Sequence, residues 1–275
     1  MGRRAFPPPF TRRPEKASVA IIFARTRHKY ASYIDFWKVV ELSGYPVIYV
    51  DEIDPHSDNT YVITPLNGEW QQGWKNPRAH IILWDLEWRD NKPDIPGVAE
   101  VWASDEGYAQ RIGAKYVILG PHPGLCIDDP TKVEKKYDVA MIAYMVWRRS
   151  IIESKCIQEG LRVAPNYGAE DDRRREMLLQ SRLVLHVHQH ENIHTISPTR
   201  WMTAAAYRLP ILSENADSPG EFVNTCMWAD YDQLPAMAKL ILSGHHACDL
   251  NELSARFHKQ LCVDNSFRKC VDNAT

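Results

Sequence analysis

Short apolar runs alternate with amphipathic stretches at the start of the chain. Residues 18–24 (SVAIIFA) form a continuous apolar run, as expected of a strand that is covered on both faces. Residues 30–44 have apolar positions at helical spacing and end on Gly44, and residues 45–52 predict another strand. The order strand, helix, strand predicts a βαβ unit.

The same alternation continues to about residue 125. Residues 80–87 (HIILWDLE) and 98–104 (VAEVWAS) predict buried strands, and the second leads through a short helix to a strand and loop at 114–124. Residues 54–76 contain Asn, Gly, Pro and Gln instead of a clear apolar pattern, so they predict an irregular excursion between two strands.

A polar, charged stretch from about 126 to 136 separates these elements from a second alternating series. In that series we expect strands at 137–145, 183–189 and 209–214, a strand and turn at 161–168, and helices at 147–160, 171–182 and 199–208. Residues 231–267 have helical period and are expected to form closing helices, for which packing back on the first half is one arrangement. Strands that alternate with helices predict parallel sheets, so the expected fold class is α/β with two Rossmann-like domains.

The domain organisation follows from these two series. Residues 1–17 are rich in arginine and proline, which predicts a flexible basic arm. We expect a first, acceptor-side domain over 18–125, a second, donor-side domain over 137–245, and a C-terminal helical segment over 246–275.

Composition and charge exclude several classes of protein. The 275 residues are 44% hydrophobic and 25% charged, which is enough apolar material for one large or two small cores. No apolar run approaches the ~18 residues of a membrane-spanning helix, and no apolar segment follows the basic N-terminus, so we expect a soluble cytoplasmic protein. The net charge of -2 excludes bulk electrostatic coating of nucleic acid, and six cysteines without a C-x-x-C pair argue against a zinc ribbon.

Two arginine-bearing helix starts follow predicted strands of the second half. Arg148 and Arg149 begin one helix, and Ser197, Thr199 and Arg200 lie at the start of another. At the carboxyl ends of parallel strands, helix N-termini and guanidinium groups favour phosphate oxygens. The joint placement predicts a cradle for a diphosphate, whereas each arginine taken singly is equally explained as a surface charge.

The segment Ser181–Glu214 (SRLVLHVHQHENIHTISPTRWMTAAAYRLPILSE) resembles the donor-binding segment of GT-B glycosyltransferases of the group 1 and spore-maturation-type branches. There, a strand ending in Asn or His precedes a loop, an arginine near a helix start, an alanine-rich helix and a proline-containing strand. The resemblance implies two Rossmann-like domains with parallel sheets facing across a cleft, a nucleotide-sugar donor and no permanently bound cofactor or metal. By it, Arg200 corresponds to the donor-phosphate arginine, and Arg148 or Arg149 to the basic residue of the first donor-domain helix.

One position departs from that family. Many members carry a pair of glutamates here, the second of which binds the donor ribose; its place falls on Thr203, and that of the first on Thr195. A threonine hydroxyl can still form a hydrogen bond with a ribose hydroxyl, but less strongly than a carboxylate. Of the donor-binding assignments, ribose binding by Thr203 is the one that the resemblance supports least.

Four histidines within residues 186–194 allow two interpretations. His186, His188 and His190 alternate along a predicted strand and share a face, so together with His194 they could hold zinc in a metal-dependent hydrolase. The resemblance instead explains them as polar groups at a strand end that faces the cleft. On that interpretation His188 or His190 reaches donor or acceptor hydroxyls and no metal is bound.

Inverting transfer to a hydroxyl needs a base in the first half, across the cleft from the donor. Asp85 and Glu87 end the strand at 80–87, and alternation places both on one face, where repulsion would raise the pKa of one. Asp105 and Glu106 are further candidates, although they equally fit the first turn of a helix. Asp85 is the preferred base.

The loop after the first strand places Arg25, Arg27, His28 and Lys29 at the mouth of the same cleft, where they would suit an acidic acceptor. A solvated loop is the alternative. This loop, the basic arm and the compact size resemble the arrangement in phage DNA glucosyltransferases, which modify 5-hydroxymethylated pyrimidines in duplex DNA. Flipping a base out of the stack costs on the order of a few kcal/mol, which contacts from arginine to phosphate would help offset.

The leading interpretation is a hexosyltransferase that moves glucose from UDP-glucose, or another sugar from its UDP-sugar, to 5-hydroxymethylpyrimidine in DNA. It would act as a monomer or weak dimer in the cytoplasm, that of a host cell if the gene is of phage origin, without membrane contact. The alternatives are transfer to a small glycan, a lipid-linked sugar or a protein hydroxyl, a metal-dependent hydrolase that uses His186–His194, and a non-enzymatic Rossmann-like binding protein.

Overall fold

Two parallel sheets organise the chain. The computed structural model describes residues 20–26, 33–64, 77–86, 97–126, 128–165, 171–192, 194–217 and 219–244, together with positions 252 and 255. We call the first sheet with its helices the first lobe, up to residue 126, and the second sheet with its helices the second lobe, from residue 128 to 244.

The first sheet has six parallel strands in the order β2-β1-β3-β4-β5-β6. These strands are β1 (Ile21–Arg25), β2 (Val47–Tyr49), β3 (Thr60–Ile63), β4 (His80–Asp85), β5 (Glu100–Ala103) and β6 (Lys115–Tyr116). The lobe also contains helices α1 (Ile34–Leu42) and α2 (Glu106–Ile112) and short 3₁₀ turns at Val50–Glu52 and Pro123–Leu125.

The second sheet has four parallel strands in the order β10-β9-β8-β7. These strands are β7 (Tyr137–Ala140), β8 (Ser181–His186), β9 (Ile211–Glu214) and β10 (Met227–Ala229). The helices of this lobe are α3 (Trp147–Gln158), α4 (Asp171–Leu179), α5 (Pro198–Ala206) and α6 (Leu234–Leu242), with 3₁₀ turns at Pro130–Lys132, Gly220–Asn224 and Tyr231–Gln233.

Local sequence explains where the helices that follow two sheet strands begin and end. The Asp105 carboxylate accepts a hydrogen bond from the Tyr108 backbone N–H (2.7 Å) and so caps α2. Gly113 ends the same helix with a φ of 65°, a left-handed conformation that glycine adopts without a Cβ clash. Pro198 occupies the first turn of α5, where its missing N–H is not needed.

The predicted α/β class with parallel sheets is confirmed, but the prediction of an irregular excursion over 54–76 is wrong in part. Thr60–Ile63 forms β3, a fully buried strand that lies between β1 and β4. Only four residues carry this strand, and Asn59 and Pro65 flank it, so its apolar run is too short to stand out from its turn-rich surroundings.

The predicted strand and turn at 161–168 is shorter in the structure. Within the described part, up to residue 165, it contributes an isolated bridge between Val163 and Val139. Of the predicted closing helices, the structure describes α6, which packs on α3, β8 and β9 of the second lobe. The basic arm at 1–17 and most of the predicted C-terminal helical segment at 246–275 lie outside the described residues.

The two lobes share one apolar core. Phe23 and Trp84 from the first sheet belong to the same buried cluster as Trp201 and Ile211 from the second lobe, and α1 packs against α5. Between the described stretches of the two lobes, burial of apolar surface is therefore continuous. Among the helices that the structure describes, none is both long and apolar enough to cross a membrane.

A buried ionic contact also joins the lobes. Asp35 in α1 accepts hydrogen bonds through Oδ2 from Arg174 Nε (2.9 Å) and from the Thr203 hydroxyl (2.9 Å). Arg174 Nη2 lies 2.8 Å from the same oxygen. All three side chains are buried, so the carboxylate and the guanidinium depend on each other for their solvation.

Replacing Asp35 with alanine should lower the free energy of unfolding by about 3–5 kcal/mol, because the buried Arg174 guanidinium would lose its carboxylate. The matched control is Asp58→Ala, which removes an exposed ion pair with Arg78 and should cost at most about 1 kcal/mol. Urea unfolding monitored by tryptophan fluorescence measures both variants. Equal losses in the two would show that the contact between the lobes is not a stabilising tether.

Candidate functional site

The carboxyl ends of three neighbouring strands bring charged and polar side chains together in the second lobe. We call this set the strand-end cluster: Arg148, Arg149, His186, His188, Arg200 and Glu214. The first two lie in the opening turn of α3, after β7, and Arg200 lies in the opening turn of α5. His186 ends β8 and Glu214 ends β9, so the parallel register of the sheet explains their proximity.

Arg148 and Glu214 form a bidentate ion pair. Arg148 Nη1 donates to Glu214 Oε2 (3.0 Å) and Nη2 donates to Oε1 (2.8 Å). The His188 backbone N–H donates to the same carboxylate (2.9 Å), and the Arg148 guanidinium lies 4.1 Å from the ring centroid of Tyr231. Hydrogen bonding to Glu214 raises the pKa of Arg148, and Arg148 therefore braces the strand ends from within.

Arg149 is buried beside other cations. Its side chain is 1% exposed and donates from Nε to the Val187 carbonyl (3.0 Å) and from Nη1 to the Tyr144 carbonyl. Burial lowers the pKa of Arg149 to about 9, and the positive charges of Arg200 and Arg148 add to this effect. A cation held under these conditions is stabilised by any anion that approaches.

Arg200 is the most accessible of the three arginines. It is half-buried at the start of α5, whereas Arg148 and Arg149 are buried. The two predicted hydroxyl residues precede it in the chain: Ser197 is half-buried just before the helix, and Thr199 is buried in its first turn. The N-terminal end of a helix carries partial positive charge, so this end of α5 adds to the field of the guanidinium groups.

The two buried histidines have defined tautomers. The Ser213 hydroxyl donates to the Glu214 carbonyl (2.7 Å), so it accepts from His186 Nδ1 (3.1 Å) and leaves Nε2 of that ring unprotonated. His188 Nε2 donates to the Asn215 carbonyl (2.8 Å). Burial lowers the pKa of His186 well below its usual value and also lowers the pKa of His188, so both rings are neutral at pH 7.

The histidines do not form the zinc site of the alternative interpretation. His186 and His188 each use a ring nitrogen for a hydrogen bond to the second sheet, His190 is exposed, and His194 Nε2 donates to the Glu191 carbonyl (2.6 Å). Within the described ranges, no group of three or more His, Cys, Asp or Glu side chains is arranged to hold a metal ion. The geometry thus gives no support to the metal-dependent hydrolase.

In the first lobe, the preferred base Asp85 is 1% exposed, and its Oδ2 accepts a hydrogen bond from the Tyr108 hydroxyl (2.9 Å). Arg25 lies 3.7 Å from Glu41 and 5.2 Å from the ring centroid of Tyr49. This position ties Arg25 to α1 and β2. The other predicted residues of the first half, Glu87, Arg27, His28 and Lys29, lie outside the described residues.

Thr203 occupies a different place from the one that the family resemblance implies. The side chain is fully buried, and its hydroxyl donates to Asp35 of the first lobe (2.9 Å). Because that hydroxyl holds the lobes together, we do not retain Thr203 as a ribose-binding residue.

Sequence reasoning missed two carboxylates, Glu214 and Asp35. Glu214 ends the predicted strand at 209–214, and an acidic residue at the carboxyl end of a buried strand is a signal that could have identified it. Asp35 sits in the first turn of α1 with no local pattern that marks it as buried, because its partners come from residues about 140 and 170 positions away.

Comparisons with known proteins identify the fold. No protein-family model matches the sequence, and no curated protein matches it. The chain is similar to the crystal structure of AviGT4, a glycosyltransferase involved in avilamycin A biosynthesis, with a TM-score of 0.59 and 11% identity over 88% of this chain and 92% of that chain. The fold is GT-B. The predicted arrangement of two Rossmann-like units with parallel sheets is confirmed.

A second similarity is to an α1,3-fucosyltransferase, with a TM-score of 0.46 and 9% identity over 88% of this chain and 82% of that chain. At this score we draw no conclusion from it. At 11% identity, the similarity to AviGT4 establishes the fold of this chain and nothing about its activity.

The neutral histidines should make stability depend on pH. Because the pKa of His186 is lowered in the folded state, the unfolded chain binds more protons below about pH 6.5, and stability falls as the pH falls, by at most about 1.4 kcal/mol per pH unit for one histidine. His186→Asn should therefore lose less stability than the wild type between about pH 7 and about pH 5.5. Urea unfolding at the two pH values measures this difference.

The control is His56→Asn, which changes an exposed histidine and should keep the wild-type loss. If the loss on acidification is the same in His186→Asn and in the wild type, His186 is not buried in its neutral form.

Proposed function

We propose that this protein is a glycosyltransferase with a nucleotide-sugar donor. The GT-B fold that it shares with the glycosyltransferase AviGT4 supports this proposal, as does the family resemblance of residues 181–214. A fold alone hosts many activities, so the chemistry of the strand-end cluster has to carry the functional assignment.

The observation that carries the proposal is the buried positive charge at the strand ends. Burial lowers the pKa of Arg149 to about 9, the positive charges of Arg200 and Arg148 add to this shift, and the opposing effect of Glu214 is the smallest of these causes. Glu214 is bound in a bidentate pair to Arg148, and the positive charges of Arg200 and Arg148 both act on Arg149 at the starts of two helices. The diphosphate of a nucleotide sugar has the negative charge and the oxygen geometry to bind guanidinium groups at helix N-termini.

This cluster would assist the departure of the donor's nucleoside diphosphate. In the transfer, the acceptor oxygen forms a bond with the anomeric carbon, and the bond between that carbon and the phosphate oxygen breaks. Negative charge grows on the leaving phosphate, so guanidinium groups placed there stabilise the transition state more than the ground state. The acceptor proton goes to a base of the first lobe.

For the second-lobe residues we propose graded roles. Arg200, with Ser197 and Thr199 at the start of α5, contacts the diphosphate, and the exposed His190 lies within the same loop region. Arg149 supplies charge from below the surface, while Arg148 and the His188 backbone position Glu214. In this proposal Arg200 contacts the donor directly, whereas Arg148 does not.

We propose UDP-glucose as the donor and 5-hydroxymethylpyrimidine in DNA as the acceptor. The resemblance to phage DNA glucosyltransferases supports both. Tyr144 (80% exposed) and Trp147 (61% exposed) add a physical reason, because they stand at the carboxyl end of β7 next to Arg148 and Arg149. Exposed aromatic rings beside cations are suited to stacking on a base that has left the duplex.

Incubation with a panel of UDP-sugars and duplex DNA that contains 5-hydroxymethylcytosine or 5-hydroxymethyluracil tests donor and acceptor together. After digestion to nucleosides, mass spectrometry should show a hexose increment on the hydroxymethylated nucleoside with UDP-glucose. Unmodified DNA is the control. If the protein binds UDP but no nucleoside gains a hexose mass, the transferase proposal is retained and the DNA acceptor is excluded. The acceptor panel would then be extended to glycans and peptides.

Arg200→Ala should weaken the binding of UDP by about 10- to 100-fold, because one charge-assisted contact to phosphate is worth about 1.5–3 kcal/mol. Isothermal titration calorimetry measures the Kd, and circular dichroism checks that the fold is kept. The matched control is Arg173→Ala, which removes an exposed arginine from α4 and should leave the Kd unchanged. Unchanged UDP affinity in Arg200→Ala would count against the donor site.

A further inference from the structure

Two aspartates stand at neighbouring strand ends of the first sheet, and they differ in what their oxygens do. Asp85 ends β4, and Asp105 follows β5 by two residues; the register of these strands pairs Asp85 with Ala103. Tyr108 in α2 contacts both, through its hydroxyl and its backbone N–H. They are therefore two candidate proton acceptors at one edge of the first lobe.

Asp85 is committed to holding Tyr108. Its Oδ2 accepts from the Tyr108 hydroxyl (2.9 Å), and the residue is 1% exposed. Tyr108 is itself 1% exposed, so this hydrogen bond lies in the interior, between β4 and α2. Uptake of a proton would make the Asp85 carboxyl a weaker acceptor for this buried hydroxyl, so the contact with Tyr108 favours the ionised, proton-free form.

The two carboxylate oxygens of Asp105 differ in their hydrogen bonding. Its Oδ1 caps α2 by accepting from the Tyr108 backbone N–H (2.7 Å). Its Oδ2 is buried and has no hydrogen-bond partner within the part of the chain that the structure describes, and the whole residue is 7% exposed. A buried acceptor atom that the protein leaves unsatisfied is destabilising, and it points to a donor that arrives with a ligand.

The start of α2 also approaches the second lobe at one point. Gly220 opens the 3₁₀ turn that follows β9, and a Cβ atom built on it would lie 2.8 Å from Glu106 Oε2. Glu106 is the neighbour of Asp105 and the first residue of α2. Asp105 is thus one residue from a close contact between the carboxyl end of the first sheet and the segment after Glu214.

We propose that Asp105, and not Asp85, is the catalytic residue that accepts the proton of the acceptor hydroxyl. This inference rests on the proposed glycosyl transfer. The acceptor O–H donates to Asp105 Oδ2; as the oxygen bonds to the anomeric carbon, its proton passes to Oδ2 and the nucleoside diphosphate leaves with the electron pair of the broken bond. Asp85 positions Tyr108, whose backbone N–H holds the other oxygen of Asp105.

The surroundings of Asp105 favour this role. Burial raises the pKa of Asp105, and the negative charge of Glu106 acts in the same direction. The capping hydrogen bond from Tyr108 and the positive charge of Arg111 oppose the increase. A carboxylate with a raised pKa is a stronger base than a solvated one.

Asp105→Asn tests the role without disturbing the helix, because asparagine caps a helix about as well as aspartate does. We expect glucose release or transfer from UDP-glucose to fall by about 100- to 10,000-fold, the usual contribution of a general base. The Kd for UDP should be unchanged, and the thermal midpoint should not fall, because the neutral amide removes a poorly solvated charge. The probes are UDP-glucose with 5-hydroxymethylcytosine DNA, and with water as the acceptor.

Asp85→Asn is the matched control. The amide oxygen can still accept from the Tyr108 hydroxyl, so turnover should fall less than about tenfold. Near-normal turnover in Asp105→Asn, or a loss confined to Asp85→Asn, would overturn the assignment while leaving the transferase intact. Absence of UDP binding and of any UDP-glucose turnover by the wild type would instead overturn the proposed function, and this inference with it.

Discussion

The bidentate pair between Arg148 and Glu214 fixes the strand ends on which the second lobe depends. Arg148 begins the helix after β7, Glu214 ends β9, and both bind the backbone of His188, just after β8. One buried ion pair therefore sets the relative position of three strands at their carboxyl ends. Under the proposed function, Arg148 holds Glu214 in place, and Arg149 and Arg200 supply positive charge for the donor diphosphate.

Much of the fold could be predicted from sequence because buried parallel strands have continuous apolar sequences. The strands at 80–87 and 209–214 were found in this way, and so were the helix starts at Arg148 and Arg200. Strand β3 was not, because four residues between turn formers give too little periodicity. A hydrophobic pattern needs more residues than the four of β3 to identify a strand.

The candidate site was predictable in position but not in pairing. Sequence placed arginines at strand ends, yet it could not show that Arg148 points inward to Glu214, since these residues are 66 positions apart. The same limit applies to Thr203, whose place in a family motif suggested a ligand contact while its hydroxyl binds Asp35. Which partner a buried polar group finds is decided by tertiary packing, and one sequence contains no record of it.

Under the proposed function, the two lobes divide the charge changes of the reaction. The second lobe offers guanidinium groups where a phosphate leaves, and the first offers carboxylates where a proton is released. Glu106, next to Asp105, closely approaches Gly220 of the second lobe, six residues after Glu214. Negative charge can thus develop on one side while positive charge is taken up on the other, with little net change in the field between them.

The Asp35 carboxylate has a consequence for motion. It fastens α1 to both α4 and α5 through Arg174 and Thr203. Sliding one lobe along the other would strand a guanidinium away from water, whereas a rotation centred on Asp35 would keep all three groups in contact. Any relative displacement of the lobes is therefore expected to be smallest at this carboxylate and to increase with distance from it.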